Sequence, residues 1–220
     1  MSTGGLVGYW RLGEASGTNA NDLSLPGNDG SYVAGTTLGQ TGALTGDTDT
    51  AASFDGVDDH VSVADSSSLD LTTKLTVEAW LKKTAFAEHR HYVVKENVGG
   101  DATGTWQLSV LTDGKVRLER NNVDTATSTG AVTVGAWHHV VVVFDDAANP
   151  KVRFYIDGRA AGTSNSVAGP FTANNETLLI GRRGLTTVSW WDGLLDEVAI
   201  YDTALTTPQI EAHYTEGTGG

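Results

Sequence analysis

Leu75-Thr76-Val77-Glu78-Ala79-Trp80-Leu81-Lys82 alternates strictly enough to read as a β-strand. Its apolar residues Leu75, Val77, Ala79 and Leu81 recur at every second position, so extended backbone puts them on one face and Thr76, Glu78, Trp80 and Lys82 on the other. A helix would scatter the same residues around its axis. Val152, Phe154 and Ile156 alternate likewise with Arg153, Tyr155 and Asp157, and Asp157-Gly158 then supplies the positive φ of a tight hairpin. Asp113-Gly114, Asp192-Gly193 and Gly99-Gly100 give further turn signals at hairpin spacing. Trp137 to Phe144 is apolar on both faces once His138 and His139 are passed, which predicts a central strand covered on both sides. Period two recurs along the chain with no βαβ unit, so the expectation is an all-β, two-sheet antiparallel sandwich.

A chain of 220 residues suits one large β domain, expected to span 1–220. The only helix expected is a short C-terminal one over Pro208 to Tyr214, with Thr207 as cap and Pro208 at its first position. Residues Gly13 to Gly56, rich in Gly, Asn, Thr, Asp and Ser, read as long loops over a sheet edge with scattered strand fragments. Trp80 and Trp137 are expected to fill the space between the sheets.

Fourteen basic against 27 acidic residues give a net charge of −13, a field that repels phosphate backbones and anionic headgroups, so no nucleic acid partner is expected. There is no cysteine, which excludes disulfides, thiolate metal sites and thiol chemistry. The longest apolar run, Val140 to Phe144, is only strand-length, so no membrane insertion is expected. Met1 leads into Ser2-Thr3-Gly4-Gly5 without a basic or apolar leader, which favours no export through a cleaved signal.

An ordered series of blocks resembles the laminin-G-like, concanavalin-A-like lectin-glucanase jelly rolls. These are Leu6-Val7-Gly8-Tyr9-Trp10-Arg11-Leu12, the Asp22 and Gly27-Asn28-Asp29-Gly30 loop, Ser53-Phe54-Asp55-Gly56-Val57-Asp58-Asp59-His60-Val61, Leu75 to Trp80, Trp137-His138-His139-Val140, Phe154-Tyr155-Ile156-Asp157-Gly158 and Leu195-Asp196-Glu197-Val198-Ala199-Ile200-Tyr201. The resemblance implies a jelly-roll sandwich and a calcium position at the sheet edge, where Asp22, Asn28 and the carbonyl of Gly30 would meet Asp196. The same residues admit a structural role, Asp22 in an Asx-turn and Asp196 at its strand end.

Sugar binding needs an aromatic face to stack on a ring and polar groups to hold hydroxyls, for which Trp190-Trp191-Asp192 is the leading candidate and Tyr92, Trp106 and Asn97 follow. Adjacent tryptophans on a strand point to opposite sides, so one of the pair is expected at the surface and both could instead be buried. His89 and His91, with His60 or His138, are weaker zinc candidates. Retaining glycosidases carry two carboxylates about 5 Å apart; Asp196 and Glu197 are adjacent and do not make that pair, and Glu78 is expected to pair with Lys82 or Lys95. Gly181-Arg182-Arg183-Gly184 lacks the strand-to-helix setting of a phosphate loop. The expectation is a non-catalytic module recognising a surface glycan or protein, outside the cell or on a virion such as a phage tail or capsid; the alternative is a structural decoration of a particle, in contact with other virion proteins and without glycan affinity.

Overall fold

Leu75, Val77, Ala79 and Leu81 do face one shared core, because the strand that carries them, Lys74–Lys83, lies in the middle of a sheet. The computed structural model describes residues 5–95, 104–121, 123–184 and 189–220. The first sheet runs Arg159–Ser164, Val152–Ile156, His138–Asp145, Lys74–Lys83, Asp192–Tyr201, Thr50–Asp55, Thr37–Thr41, with Leu6–Trp10 also paired to Asp192–Tyr201. The second runs Asp124–Ala131, Lys115–Arg120, Trp106–Val110, Arg90–Lys95, Leu178–Ile180, His60–Val63, Gly30–Val33, Asn19–Ala20. All these pairings are antiparallel, and a short ribbon, Arg182–Arg183 with Ser189–Trp190, stands beside the second sheet. The result is the expected jelly-roll sandwich.

Between the sheets lie Trp10, Phe54, Tyr92, Trp106, Phe144, Phe154 and Trp191 with the aliphatic residues of both inner faces. The outer face of the first sheet is also apolar. Val141, Val143, Tyr155, Ala199 and Tyr201 form a second cluster with Leu205 and Ile210, closed by the C-terminal helix Thr207–Gly217. His138–Asp145 is therefore covered on both sides as its sequence predicts.

Several local expectations need correction. The helix cap is Thr206, one residue earlier than expected; Gln209 Oε1 accepts its backbone N–H at 2.9 Å. Trp80 lies beneath the helix, stacked on Tyr214 and against His139, and Trp137 is half-exposed, so neither fills the space between the sheets. Asp192-Gly193 is not a turn but the start of a long strand, where a Cβ on Gly193 would come within 2.1 Å of the Lys82 carbonyl oxygen. Glycine there serves close backbone approach. Residues 13–56 are more ordered than their composition suggests, with four short strands. The Gly99-Gly100 signal lies outside the described residues.

Candidate ligand-binding face

The second sheet presents the more unusual surface. In Trp106–Val110 and Lys115–Arg120, Leu108, Val110, Val116 and Leu118 belong to the core, so alternation sends Gln107, Ser109, Arg117 and Glu119 outward. Register then aligns them across strands: Glu119 sits opposite Gln107 and Thr125, and Arg117 opposite Ser109 and Thr127. On the next strand Tyr92 and Val93 both belong to the core, because a bulge follows His91; His91 is left outward, opposite Ser109.

Outward here does not mean exposed. Gln107 and His91 are both 0% exposed. Among the described residues, neither the Gln107 amide nitrogen nor its oxygen, neither ring nitrogen of His91, and not the buried Nε of Arg117 has a hydrogen-bond partner. The Gln107 amide lies within reach of the His91 ring but not in hydrogen-bonding geometry. Each buried polar atom left unpaired costs about 1–3 kcal/mol, so native proteins leave few of them without a reason. Burial, and then the charges of Arg183 and Arg117, push His91 well below the usual histidine range, and the same influences lower His89. A neutral imidazole offers one donor and one acceptor, the complement of a hydroxyl.

The ribbon forms the wall beside this floor. Ser189 Oγ accepts the His91 N–H at 3.3 Å and donates to the His89 carbonyl at 3.1 Å. Arg183 reaches Asn121 Oδ1 at 3.5 Å. Trp190 is half-buried, with the Arg182 guanidinium 4.3 Å from its ring centroid and His60 at 5.5 Å. At the far end, Glu119, Arg120, Val123, Asp124 and Thr125 line a cleft of about 330 Å³.

The aromatic candidates from the sequence separate. Trp190 reaches the surface, whereas Trp191, Tyr92 and Trp106 are core residues with no face left for a sugar, a correction to the expectation. Trp191 donates Nε1–H to the Leu194 carbonyl at 3.3 Å, and Tyr92 meets it edge-on at 6.0 Å. Asp192 is held in strand pairing opposite Asp55. Asn97 lies outside the described residues. The histidines do not converge either, since His138 is bound to Asp157 and Thr133 while His60 sits by Trp190.

The calcium set does not assemble as expected. The two oxygens of Asp22 already accept four hydrogen bonds, from the N–H groups of Tyr9, Ser24 and Asn28 at 2.8, 2.8 and 2.6 Å and from the Ser24 hydroxyl at 2.8 Å. Asn28 donates to the Val7 carbonyl at 2.8 Å and Ser68 Oγ at 3.0 Å, and Gly30 sits in strand pairing with Val63, where a Cβ would meet Val61 at 2.7 Å. Asp196 belongs to another neighbourhood. Its Oδ2 accepts the Ala43 N–H at 2.7 Å, and its buried Oδ1 has no partner among the described residues. Arg11 gathers the acids there, holding Asp47 at 2.6 Å, Asp49 at 2.9 Å and Glu197 at 2.7 Å. Burial, reinforced by the charges of Glu197 and Asp49, pushes Asp196 up to about 7.

Sequence reasoning missed the partner of Glu78. It is neither Lys82 nor Lys95, since Lys95 pairs with Asp65. His139 Nε2 lies at 2.6 Å and His213 Nδ1 at 2.9 Å, beneath the C-terminal helix, and they hold the buried Glu78 carboxyl down at about 2 against the burial that would raise it.

A two-layer antiparallel jelly roll with one polar outer face defines the class. The chain belongs to the concanavalin A-like lectin/glucanases superfamily, whose laminin G model matches residues 54–211. No curated protein matches significantly. Among solved structures it is similar to the binding domain of Paraclostridial Mosquitocidal Protein 1, at 13% identity and a TM-score of 0.70, covering 96% of this chain and 52% of that one. Domain 4 of AbnA, a GH43 extracellular arabinanase from Geobacillus stearothermophilus, in complex with arabinotriose, shares 20% identity with a TM-score of 0.69, covering 94% of this chain and 97% of that domain. Trypanosoma rangeli sialidase in complex with sialic acid is 18% identical with a TM-score of 0.69, and the match covers 96% of this chain but 32% of the sialidase. This chain thus spans about half of the toxin chain and a third of the enzyme. These likenesses show the fold.

Proposed function

We propose that the protein is a non-catalytic module that binds a glycan on the outer face of its second sheet. The observation that carries this is the buried floor of Gln107 and His91, whose polar atoms lack partners among the described residues. Saccharide hydroxyls both donate and accept, and they would complete the amide and the neutral imidazole together. Trp190, at the surface beside the floor, is the aromatic available to a ring. The sugar ligand named with the arabinanase domain is consistent with this reading. The carboxylates weighed from the sequence support a binding role over hydrolysis: Glu78 is sealed under the helix, Glu197 is committed to Tyr9 and Arg11, and Asp196 is buried with one oxygen on the Ala43 N–H. Among the described residues no helix is long and apolar enough to cross a membrane. The setting we propose is exposed, outside the cell or on a virion.

A glycan array tests the reading. Specific signals should appear with the native chain and fall at least tenfold in Trp190→Ala. Silence across the array, together with recovery of the protein in a native particle, would reject it in favour of a structural decoration.

A further inference from the structure

Arg117 is less completely paired than the arginines that hold carboxylates closely. Arg11 holds three carboxylates at 2.6 to 2.9 Å, and Arg120 holds Asp124 through two hydrogen bonds of 2.7 and 3.1 Å. Arg117 has only Glu119, at 3.9 Å, and its Nε is buried without a partner among the described residues. That is unexpected in a chain with 27 acids for 14 bases, where any arginine could have been given a close carboxylate.

Arg183 shares the space. Arg117 stands opposite Ser109, which in turn stands opposite His91, while Arg183 lies on the ribbon opposite Ser189, whose hydroxyl accepts the His91 N–H, and reaches Asn121, so the two arginines border the same floor. His91 and His89 are both disfavoured as cations there, which leaves the arginines as the positive groups. Glu119 is the acid facing them from the strand beside Gln107. A planar guanidinium with a free Nε–H presents the fork geometry that matches two oxygens of a carboxylate or sulfate.

We propose that the saccharide bound on this face is anionic, carrying a carboxylate or a sulfate ester that Arg117 and Arg183 neutralise. This rests on the glycan reading above and adds the class of glycan. The net charge of −13 repels such a ligand at long range, so the local arginines must hold it at contact, and added salt should weaken binding.

The test is an array of matched carboxylated, sulfated and neutral oligosaccharides with the same backbones, followed by calorimetric titration of the best probe into the full chain. The expected result is binding confined to anionic members, at least tenfold tighter than to the neutral counterpart, with the favoured arm telling carboxylate from sulfate. Arg117→Gln should lose at least tenfold with an unchanged circular-dichroism spectrum; Arg183→Gln replaces it if that variant does not fold. Equal or tighter binding of neutral members overturns the acidic class and leaves the glycan reading standing. Absence of any signal on the array removes both.

Discussion

Replacing Gln107 by methionine separates a binding floor from a stability element. Methionine keeps the length and unbranched shape of the side chain and discards the amide, whose two polar atoms are buried without partners among the described residues. Burying an unpaired amide costs about 1–3 kcal/mol on mutational scales. Gln107→Met should therefore stabilise the free protein by about 1–3 kcal/mol, and for a chain of this size each kcal/mol moves Tm by about 2–4 °C. Glycan binding should fall at least tenfold in the same variant, because the hydroxyl partner is gone. Chemical denaturation followed by tryptophan fluorescence gives the stability, and titration with an array-identified glycan gives the affinity. A lower Tm with intact binding would show the opposite, an amide that is satisfied in the free protein and serves packing.

Asp196→Asn should stabilise the protein at pH 8 but not at pH 4: a carboxyl held at about 7 against an ordinary 3.8 stays protonated in the folded chain while the unfolded chain ionises, so native stability falls as pH rises between those values. The variant's advantage, about 4 kcal/mol at most, should grow across that window in melting scans and then level off. Glu78→Gln should show the opposite dependence: a carboxyl held at about 2 contributes stability above its ordinary 4.5 that is lost as pH falls toward 2, so the deficit of the variant should shrink over that interval in acid denaturation. Gly193→Ala should lower the unfolding free energy by more than about 1 kcal/mol, seen as a lower denaturation midpoint, since its Cβ would meet the Lys82 carbonyl oxygen at 2.1 Å; an unchanged midpoint would show that the two strands can part there.

The sandwich was legible where alternation is long and apolar, as in Leu75 to Leu81 and Val152 to Ile156, because a one-residue slip would expose every core side chain. It was not legible in Thr37–Thr41, whose Thr-Leu-Gly-Gln-Thr has little apolar content and becomes a strand by pairing with Thr50–Asp55. Asp192-Gly193 misled because a turn signal is local, whereas that glycine answers a carbonyl on a strand far away in sequence. For the site, the adjacency of Trp190 and Trp191 did place one ring outward and one in the core. The alternation of Trp106–Val110 and Lys115–Arg120, which puts Gln107, Ser109, Arg117 and Glu119 on one face, formed no part of the sequence expectation. What period two cannot carry is the burial of that outer face, since polar side chains in such positions are ordinarily solvated.

The two sheets bury polar groups on their outer faces in contrasting ways. Under the C-terminal helix, Glu78 receives His139, His213 and the Tyr201 hydroxyl, so the buried charge is surrounded by donors and a carboxylate is favoured. Removing a member of that cluster would leave the others exposed to the full cost of burial, which is the behaviour of a latch holding a helix to a sheet. On the second sheet, Gln107, His91 and Arg117 face outward from equally regular strands, yet donors and acceptors remain open among the described residues. Among the described residues the helix-side cluster leaves one buried atom, His139 Nδ1, without a partner, whereas Gln107, His91 and Arg117 together leave five, and that excess is what favours a partner from outside. The contrast also predicts where substitutions should hurt: stability on the helix side, affinity on the side of the arginines.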